Sequence, residues 1–336
     1  MAMGVAIVAE AKSPKIPSEK KQSAYLMVYH NDADHGLHMA VSQDGYVFKA
    51  VNGDRPVIAG DTIAEQHGIR DPHIFRGPDG AFYMAMTDLH VYGKRDGYRT
   101  TEWERDGKEF GWGNNRGLVL MKSTDLCNWS HTVVDFSKLP GFDRVGCVWA
   151  PEIVFDAGSS QLMIHFTTRF GTGKDMIYYV YVNNEFNALT SEPRLLFEAP
   201  GRRYGVIDSD IVEHDGVFHL FYVSHENTAT IKHATSKRIT GPYVMDDNYY
   251  DGEKLGHEAP NCWKRNGEQR WVVMHDNYRL KPHNFGFVET TDFVNYTPIG
   301  RFDEGVMKRE GFSEQKHGSV ISITKKEAKA LLKLKR

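Results

Sequence analysis

Four carboxylates, Asp71, Glu152, Asp208 and Glu258, stand at or next to the starts of four short apolar strands. Those strands read Arg70-Asp71-Pro72-His73-Ile74, Ala150-Pro151-Glu152-Ile153-Val154, Asp208-Ser209-Asp210-Ile211-Val212 and Glu258-Ala259-Pro260-Asn261-Cys262-Trp263. Scattered over a surface, such groups mean little. Gathered in one partly buried pocket they repel one another, and some are pushed above the usual carboxylate range while others stay ionised. An ionised base beside a protonated acid is the pairing that hydrolysis of a glycosidic bond requires. That chemistry needs a fold that brings four distant strand starts together.

The surrounding chain supplies one. Each strand returns as a second alternating strand, ending near Thr87, Thr168, Ser224 and His275, and three of the returns follow Asp79-Gly80, Asp215-Gly216 or Asn266-Gly267 turns. Two further strands follow, marked by Ser or Thr, then often Asp, then an aromatic, as in Met121–Trp129 and Val288–Tyr296. A repeat of four short antiparallel strands is a propeller blade. Residues 23–51 hold three strands of a blade with no first strand, and His317-Gly318-Ser319-Val320-Ile321-Ser322-Ile323-Thr324 reads as a first strand with no second. The sequence therefore predicts an all-β fold, a five-bladed β-propeller with four-stranded antiparallel blades, its ring closed by pairing of the N- and C-terminal strands. Residues 23–324 form this catalytic domain, 1–22 a solvated leader and 325–336 a C-terminal helix of alternating basic and apolar residues.

In such a ring the first strands surround the axis, so their starts meet at one mouth. The loops after the second strands share that face. They are rich in polar and aromatic residues, and the longest, 88–117, carries Tyr92, Tyr98, Trp103, Phe110 and Trp112. A loop of that length is expected to wall the pocket or offer a stacking platform for a sugar. Candidate sugar contacts are Asp32, Trp112, Trp149, Glu152, His225, His257 and Arg279, with His30 and His35 beside Asp32.

Composition narrows the partners. In 336 residues a formal net charge of -3 gives no case for nucleic acid, and no apolar run reaches the length of a membrane span. The 6 Trp, 16 Tyr and 18 Phe suit strand cores and a sugar-facing surface. The three cysteines, Cys127, Cys147 and Cys262, have no metal-binding or redox spacing and are expected to be buried small residues. Val5–Val8 and Ala9-Glu10-Ala11 resemble the end of an export signal without its basic start. A signal remnant there places the protein in the periplasm or outside the cell; otherwise it is cytoplasmic.

At Arg70-Asp71-Pro72-His73-Ile74, Trp149-Ala150-Pro151-Glu152, Ile207-Asp208, Glu258-Ala259-Pro260 with Arg265-Asn266-Gly267, and His317-Gly318-Ser319-Val320, the chain resembles glycoside hydrolase family 43. The resemblance implies an inverting hydrolase that removes α-L-arabinofuranosyl or β-D-xylosyl units from plant-type carbohydrate. It makes Asp71 the general base, Glu258 the general acid and Asp208 the residue that orients the acid. It requires no cofactor, and it places His317 near the axis beside a structural Ca2+ or Na+. Two departures stand out. The third motif has Ser209 and then Asp210 where the family has proline, so Asp210 competes with Asp208 for the modulating role. Glu152 holds a position the family's core chemistry does not use. Other readings are a non-catalytic carbohydrate-binding propeller, a scaffold propeller, and a related five-bladed glycosidase acting on β-galactan or agar oligosaccharides.

Overall fold

A computed structural model describes residues 15–97, 105–246, 249, 251–254 and 256–335. Among them, strands form five sheets arranged as a five-bladed β-propeller. The chain first lays down β1 (Gln22–Asn31), β2 (Leu37–Ser42) and β3 (Val47–Ala50). Four complete blades follow. They are β4 (Ile69–Arg76), β5 (Phe82–Asp88), β6 (Gly117–Ser123) and β7 (Ser130–Asp135); then β8 (Val145–Asp156), β9 (Gln161–Phe170), β10 (Met176–Val182) and β11 (Arg194–Phe197). Next come β12 (Val206–His214), β13 (Val217–Ser224), β14 (Thr230–Ser236) and β15 (Val244–Asp246), then β16 (Glu258–Lys264), β17 (Trp271–Asn277), β18 (Asn284–Thr290) and β19 (Thr297–Arg301).

The ring closes as the terminal strands suggested. After β20 (Lys308–Glu310), the strand β21 (Gln315–Thr324) pairs antiparallel with β1 from Gln22 opposite Thr324 to Asn31 opposite Gln315. One addition was not foreseen: β20 runs parallel along β3 and gives the closing sheet a fifth strand. Beyond a short helix α1 (Gly107–Phe110), the helix α2 (Lys325–Leu331) opens on a capping box, Thr324 with Glu327, and buries Ala328 and Leu331 against the closing blade. Of the cysteines, Cys147 is buried, while Cys127 and Cys262 are half-buried; all three are free thiols.

Five apolar clusters fill the wedges between neighbouring blades. Because stability is drawn from these wedges, the axis is free to hold polar groups. The inner strands β21, β4, β8, β12 and β16 line that axis, and each carries the same irregularity. Two of its residues oppose one residue of the second strand, at Asp71-Pro72, Ala150-Pro151, Asp208-Ser209, Ala259-Pro260 and His317-Gly318. The first residue of every bulge is left-handed, with φ of 52°, 44°, 48°, 56° and 36° respectively. Proline suits the second position because no ladder hydrogen bond is asked of it there. At Gly318 a Cβ would lie 2.7 Å from the Val28 carbonyl oxygen, which reserves that position for glycine.

Left-handed non-glycine residues cost roughly 1–2 kcal/mol each, and each of these is held by a side chain that accepts its backbone N–H. The acceptors are His30 Nδ1 for Asp71 (3.2 Å), Thr87 Oγ1 for Ala150 (2.9 Å), Thr167 Oγ1 for Asp208 (2.9 Å), Asp208 Oδ2 for Ala259 (3.2 Å) and Asp276 Oδ2 for His317 (3.2 Å). Every acceptor belongs to the preceding blade.

The closing blade also holds a charged cluster that gives stability a pH dependence. His38 Nε2 lies 3.1 Å from Asp34 and its Nδ1 3.4 Å from Asp54, with the ring stacked on Tyr29. Burial alone would lower the imidazole, but the two aspartates outweigh it and raise it to about 9. A raised histidine stabilises fully below its unfolded value near 6.5 and loses that contribution as pH climbs through 9. Asp34 is partly exposed, and solvent screening trims the effect to about 2 kcal/mol. Urea unfolding should therefore show stability falling between pH 6.5 and 9, and His38→Gln should flatten that fall.

Candidate active site

The repeated bulge sorts the axial side chains into three tiers. The residues just before the bulges form the upper tier: Arg70, Trp149, Ile207, Glu258 and Lys316. The left-handed residues Asp71, Ala150, Asp208, Ala259 and His317 form the middle tier. Two residues further along, His73, Glu152, Asp210, Asn261 and Ser319 form the lower tier. A cavity of about 300 Å³ at the mouth is lined by the whole upper tier, by Asp71, Asp208 and His317, and by Leu89, Trp112 and Tyr278 from the loops. One arc of its wall, Arg70, Glu258 and Lys316, is charged; the opposite arc, Trp149 and Ile207, is apolar.

Three of the four carboxylates singled out in the sequence thus share one pocket, with distinct electrostatics. Burial pushes Asp71 up, but His317, Arg70, His30 and the Thr87 hydroxyl, which donates to Asp71 Oδ2 at 2.7 Å, outweigh it and hold the carboxyl at about 2. Burial, together with the charges of Glu258 and Asp71, pushes Asp208 well above the usual range, and the Ala259 N–H it accepts offsets only part of this. His317 Nδ1 stands 3.3 Å from Asp71 Oδ1 and 4.0 Å from Asp208 Oδ2, and burial lowers its basicity, so the ring is neutral at neutral pH. Glu258 is the most accessible of the three, its side chain 26% exposed, with Lys316 Nζ 3.7 Å away.

The fourth carboxylate is elsewhere. Glu152 sits in the lower tier, 3% exposed, and does not line the mouth. Its four tier-mates each accept an N–H from the next blade: His73 from Ile153 (3.1 Å), Asp210 from Cys262, Asn261 from Val320 (2.9 Å) and Ser319 from Ile74 (2.9 Å). Glu152 instead turns toward Asp210, and its Oε2 has no hydrogen-bond partner. Burial and Asp210 push Glu152 well above the usual range, so it holds its proton beside that neighbour. Asp208 and Asp210 do both turn to the axis, but at different depths, and Asp208 is the one in the pocket with Glu258.

The remaining candidates divide. Trp149 and Trp112 line the pocket edge to face, 6.2 Å between ring centroids, with Trp112 72% exposed on the rim. The long loop is therefore a wall of the pocket, although Tyr98 and Trp103 lie outside the described residues. Asp32 acts behind the wall, 2.5 Å from Arg70. His257 is buried and faces away, 2.5 Å from Asp251, because it lies one residue before the upper tier. Arg279 is exposed and packs over Gly256 and Tyr278. His225 lines a separate polar cleft with Lys174 and Asp175. His30 and His35 are buried, His30 holding the Asp71 N–H and His35 stacking on His90. Arg70, Lys316 and Asp276 were not singled out in the sequence. Asp276 is raised to about 7 by burial, against the pull of Lys316.

Among the described residues, one group of three potential metal ligands brings its donor atoms within 4.8 Å of one another: His73, Glu152 and Asp210. His73 Nδ1 accepts a backbone N–H, so the ring hydrogen sits on Nε2, which faces Glu152 Oε2 at 3.6 Å. A metal-ligating histidine needs its lone pair there and the hydrogen on its other nitrogen. The lower tier therefore does not fit a cation while that bond stands. Among the described residues, Asp71, Asp208 and His317 of the middle tier form no such group.

Residues 20–329 match the family model of a probable glycosyl hydrolase domain related to glycoside hydrolase family 43. An alpha-L-arabinofuranosidase of Bifidobacterium longum is 27% identical over 137 residues, 38% of this chain, and the chain spans 11% of that relative's length. An endo-1,4-beta-xylanase of Bacteroides thetaiotaomicron superposes with a TM-score of 0.58 at 12% identity, covering 83% of this chain and 91% of that one. An endo-arabinase of the same species gives 0.57 at 14%, covering 88% and 95%. An exo-1,5-alpha-L-arabinanase from a bovine ruminal metagenomic library gives 0.53 at 15%, covering 82% and 92%. At such identities the likeness is one of fold.

A shared proton in the lower tier has a measurable signature. Glu152→Gln, which mimics the protonated acid, should change the unfolding free energy by no more than about 1 kcal/mol, whereas Glu152→Ala should cost about 2–4 kcal/mol through the void and the stranded Asp210. Equal losses in urea titrations of the two variants would show that the tier depends on a charged Glu152.

Proposed function

The chain belongs to the family of probable glycosyl hydrolase domains related to glycoside hydrolase family 43, and from that premise we propose an inverting enzyme that releases terminal or side-chain sugars from plant-type polysaccharides or oligosaccharides. The observation that carries this reading is the pocket itself, in which Asp71 is held ionised at about 2 while Asp208, on another bulge of the same tier, is held toward its protonated form. Asp71 is thereby suited to act as base, and the acid role falls to Glu258, the most accessible carboxyl of the pocket, with Asp208 beside it.

In the proposed reaction Asp71 takes a proton from a water molecule, whose oxygen attacks the anomeric carbon. Glu258 gives its proton to the glycosidic oxygen as the bond to the leaving group breaks. Asp208, beside Glu258 and bonded to the backbone of Ala259, orients the acid. Thr87 fixes Asp71 and, through the N–H of Ala150, ties the base to the next blade. The reaction so written draws on no cofactor.

The proposed substrate is an α-L-arabinofuranoside or a β-D-xyloside. The relative named an arabinofuranosidase and the neighbours named arabinanase and xylanase support that choice. The small volume of the pocket supports capture of a terminal unit, with Trp149 and Trp112 offering ring faces and Arg70 offering hydrogen-bond donors to hydroxyls.

Aryl arabinofuranosides and xylosides, with arabino- and xylo-oligosaccharides, provide the test. Asp71→Asn and Glu258→Gln should each lower kcat on oligosaccharides at least about 1,000-fold with unchanged melting temperature. Proton NMR of the first product should show the anomer opposite to that of the substrate. Near wild-type rates in either variant, or a retained anomer, would overturn the assignment. Trp112→Ala should raise KM several-fold with little change in kcat, as expected of a rim platform.

A further inference from the structure

Lys316 lies beside the group from which the proposed reaction draws its proton. It occupies the upper tier next to Glu258, on adjoining inner strands, and its side chain is only 10% exposed. Its ammonium stands 3.7 Å from Glu258 Oε1 and 3.8 Å from Asp32 Oδ2. Both separations are too long for hydrogen bonds, so the negative charge around it, that of Asp32 and of the buried Asp276 included, keeps the ammonium beside the Glu258 carboxyl. Asp32 is already committed to Arg70 at 2.5 Å. Lys316 is the cationic side chain that stands within 4 Å of the Glu258 carboxyl, and it also lines the pocket. A fixed cation therefore stands where negative charge must appear during the reaction.

Resting on the reading of Glu258 as proton donor, we propose that Lys316 is a positioning residue for that proton transfer, fixing the Glu258 carboxyl and stabilising the carboxylate that forms. In the step, the Glu258 O–H bond breaks and its proton passes to the glycosidic oxygen. The bond from that oxygen to the anomeric carbon breaks, its electron pair staying with the oxygen. The attacking water bonds to the carbon and releases its proton to Asp71. Glu258 ends with a negative charge it did not have at the start, and the nearby ammonium is the preplaced counter-charge. Such stabilisation acts more strongly in the transition state than in the ground state, which is the condition for catalysis.

The consequence is a dependence on the leaving group. A 2,4-dinitrophenyl glycoside departs without protonation, whereas a methyl glycoside or an oligosaccharide does not. Lys316→Met should lower kcat/KM on methyl glycosides and oligosaccharides about 10- to 100-fold and on the 2,4-dinitrophenyl glycoside of the same sugar less than about threefold. Lys316→Arg should restore most of the loss. The activated substrate also reports folding, and Lys316→Gln serves if the methionine variant does not fold. Equal losses on both substrate classes, or no loss on either, would overturn the proposal. Glu258→Gln, run in parallel, separates the two layers of inference. If it shows no leaving-group dependence, the acid assignment falls; if it does and the Lys316 variants do not, only the role of Lys316 falls.

Discussion

The structure depends on five backbone bulges around one axis. Each places a non-glycine residue in the left-handed region, a conformation that no strand would adopt for its own sake. The cost is met by a side chain of the preceding blade accepting the strained N–H, so no blade carries its bulge unaided. What results is a closed chain of obligations: His30 serves Asp71, Thr87 serves Ala150, Thr167 serves Asp208, Asp208 serves Ala259 and Asp276 serves His317. Two of the residues being held, Asp71 and Asp208, are carboxylates of the pocket. The strain and the chemistry thus fall on the same atoms.

The bulge also explains how one short axis accommodates so many ionisable groups. By shifting the strand half a pleat, it turns two consecutive residues toward the axis, as with Arg70 and Asp71 or Lys316 and His317, before alternation resumes two positions further down. Asp208 faces Glu258 in a pocket open to solvent, while Asp210 faces Glu152 in a layer where both are almost wholly buried. Below, carboxyl groups satisfy one another with a proton; above, they are balanced by the cations Arg70 and Lys316. The upper and middle tiers can therefore be charged without the whole axis flying apart.

Much of this was legible in the sequence, and what was not has physical reasons. The blades showed through because a half-buried antiparallel strand alternates and because Asp-Gly and Asn-Gly turns announce hairpins. Asp71, Asp208, Glu258, Trp149 and His317 showed through because they sit in or beside the bulge motif, whose proline, serine or glycine is visible in the chain. Thr87, Thr167 and Asp276 did not, since they lie near the ends of second strands that carry no such mark. Lys316 was hidden by its neighbour His317. His257 was misplaced because strand alternation is unforgiving: one residue before Glu258, a side chain points away from the pocket and meets Asp251. The strand β20, three residues of Lys, Arg and Glu, has no apolar pattern to read and exists only because β3 offers an edge.

The closure between β1 and β21 sets the moment at which the pocket can first exist. Lys316, His317 and Ser319, one member of every tier, all sit on β21, the strand that closes the ring, and Asp276 receives the His317 N–H only when that strand docks. Until it docks, Asp71, Asp208 and Glu258 face a pocket that lacks Lys316 and His317 from its lining. Closure of the ring and assembly of the pocket are a single event.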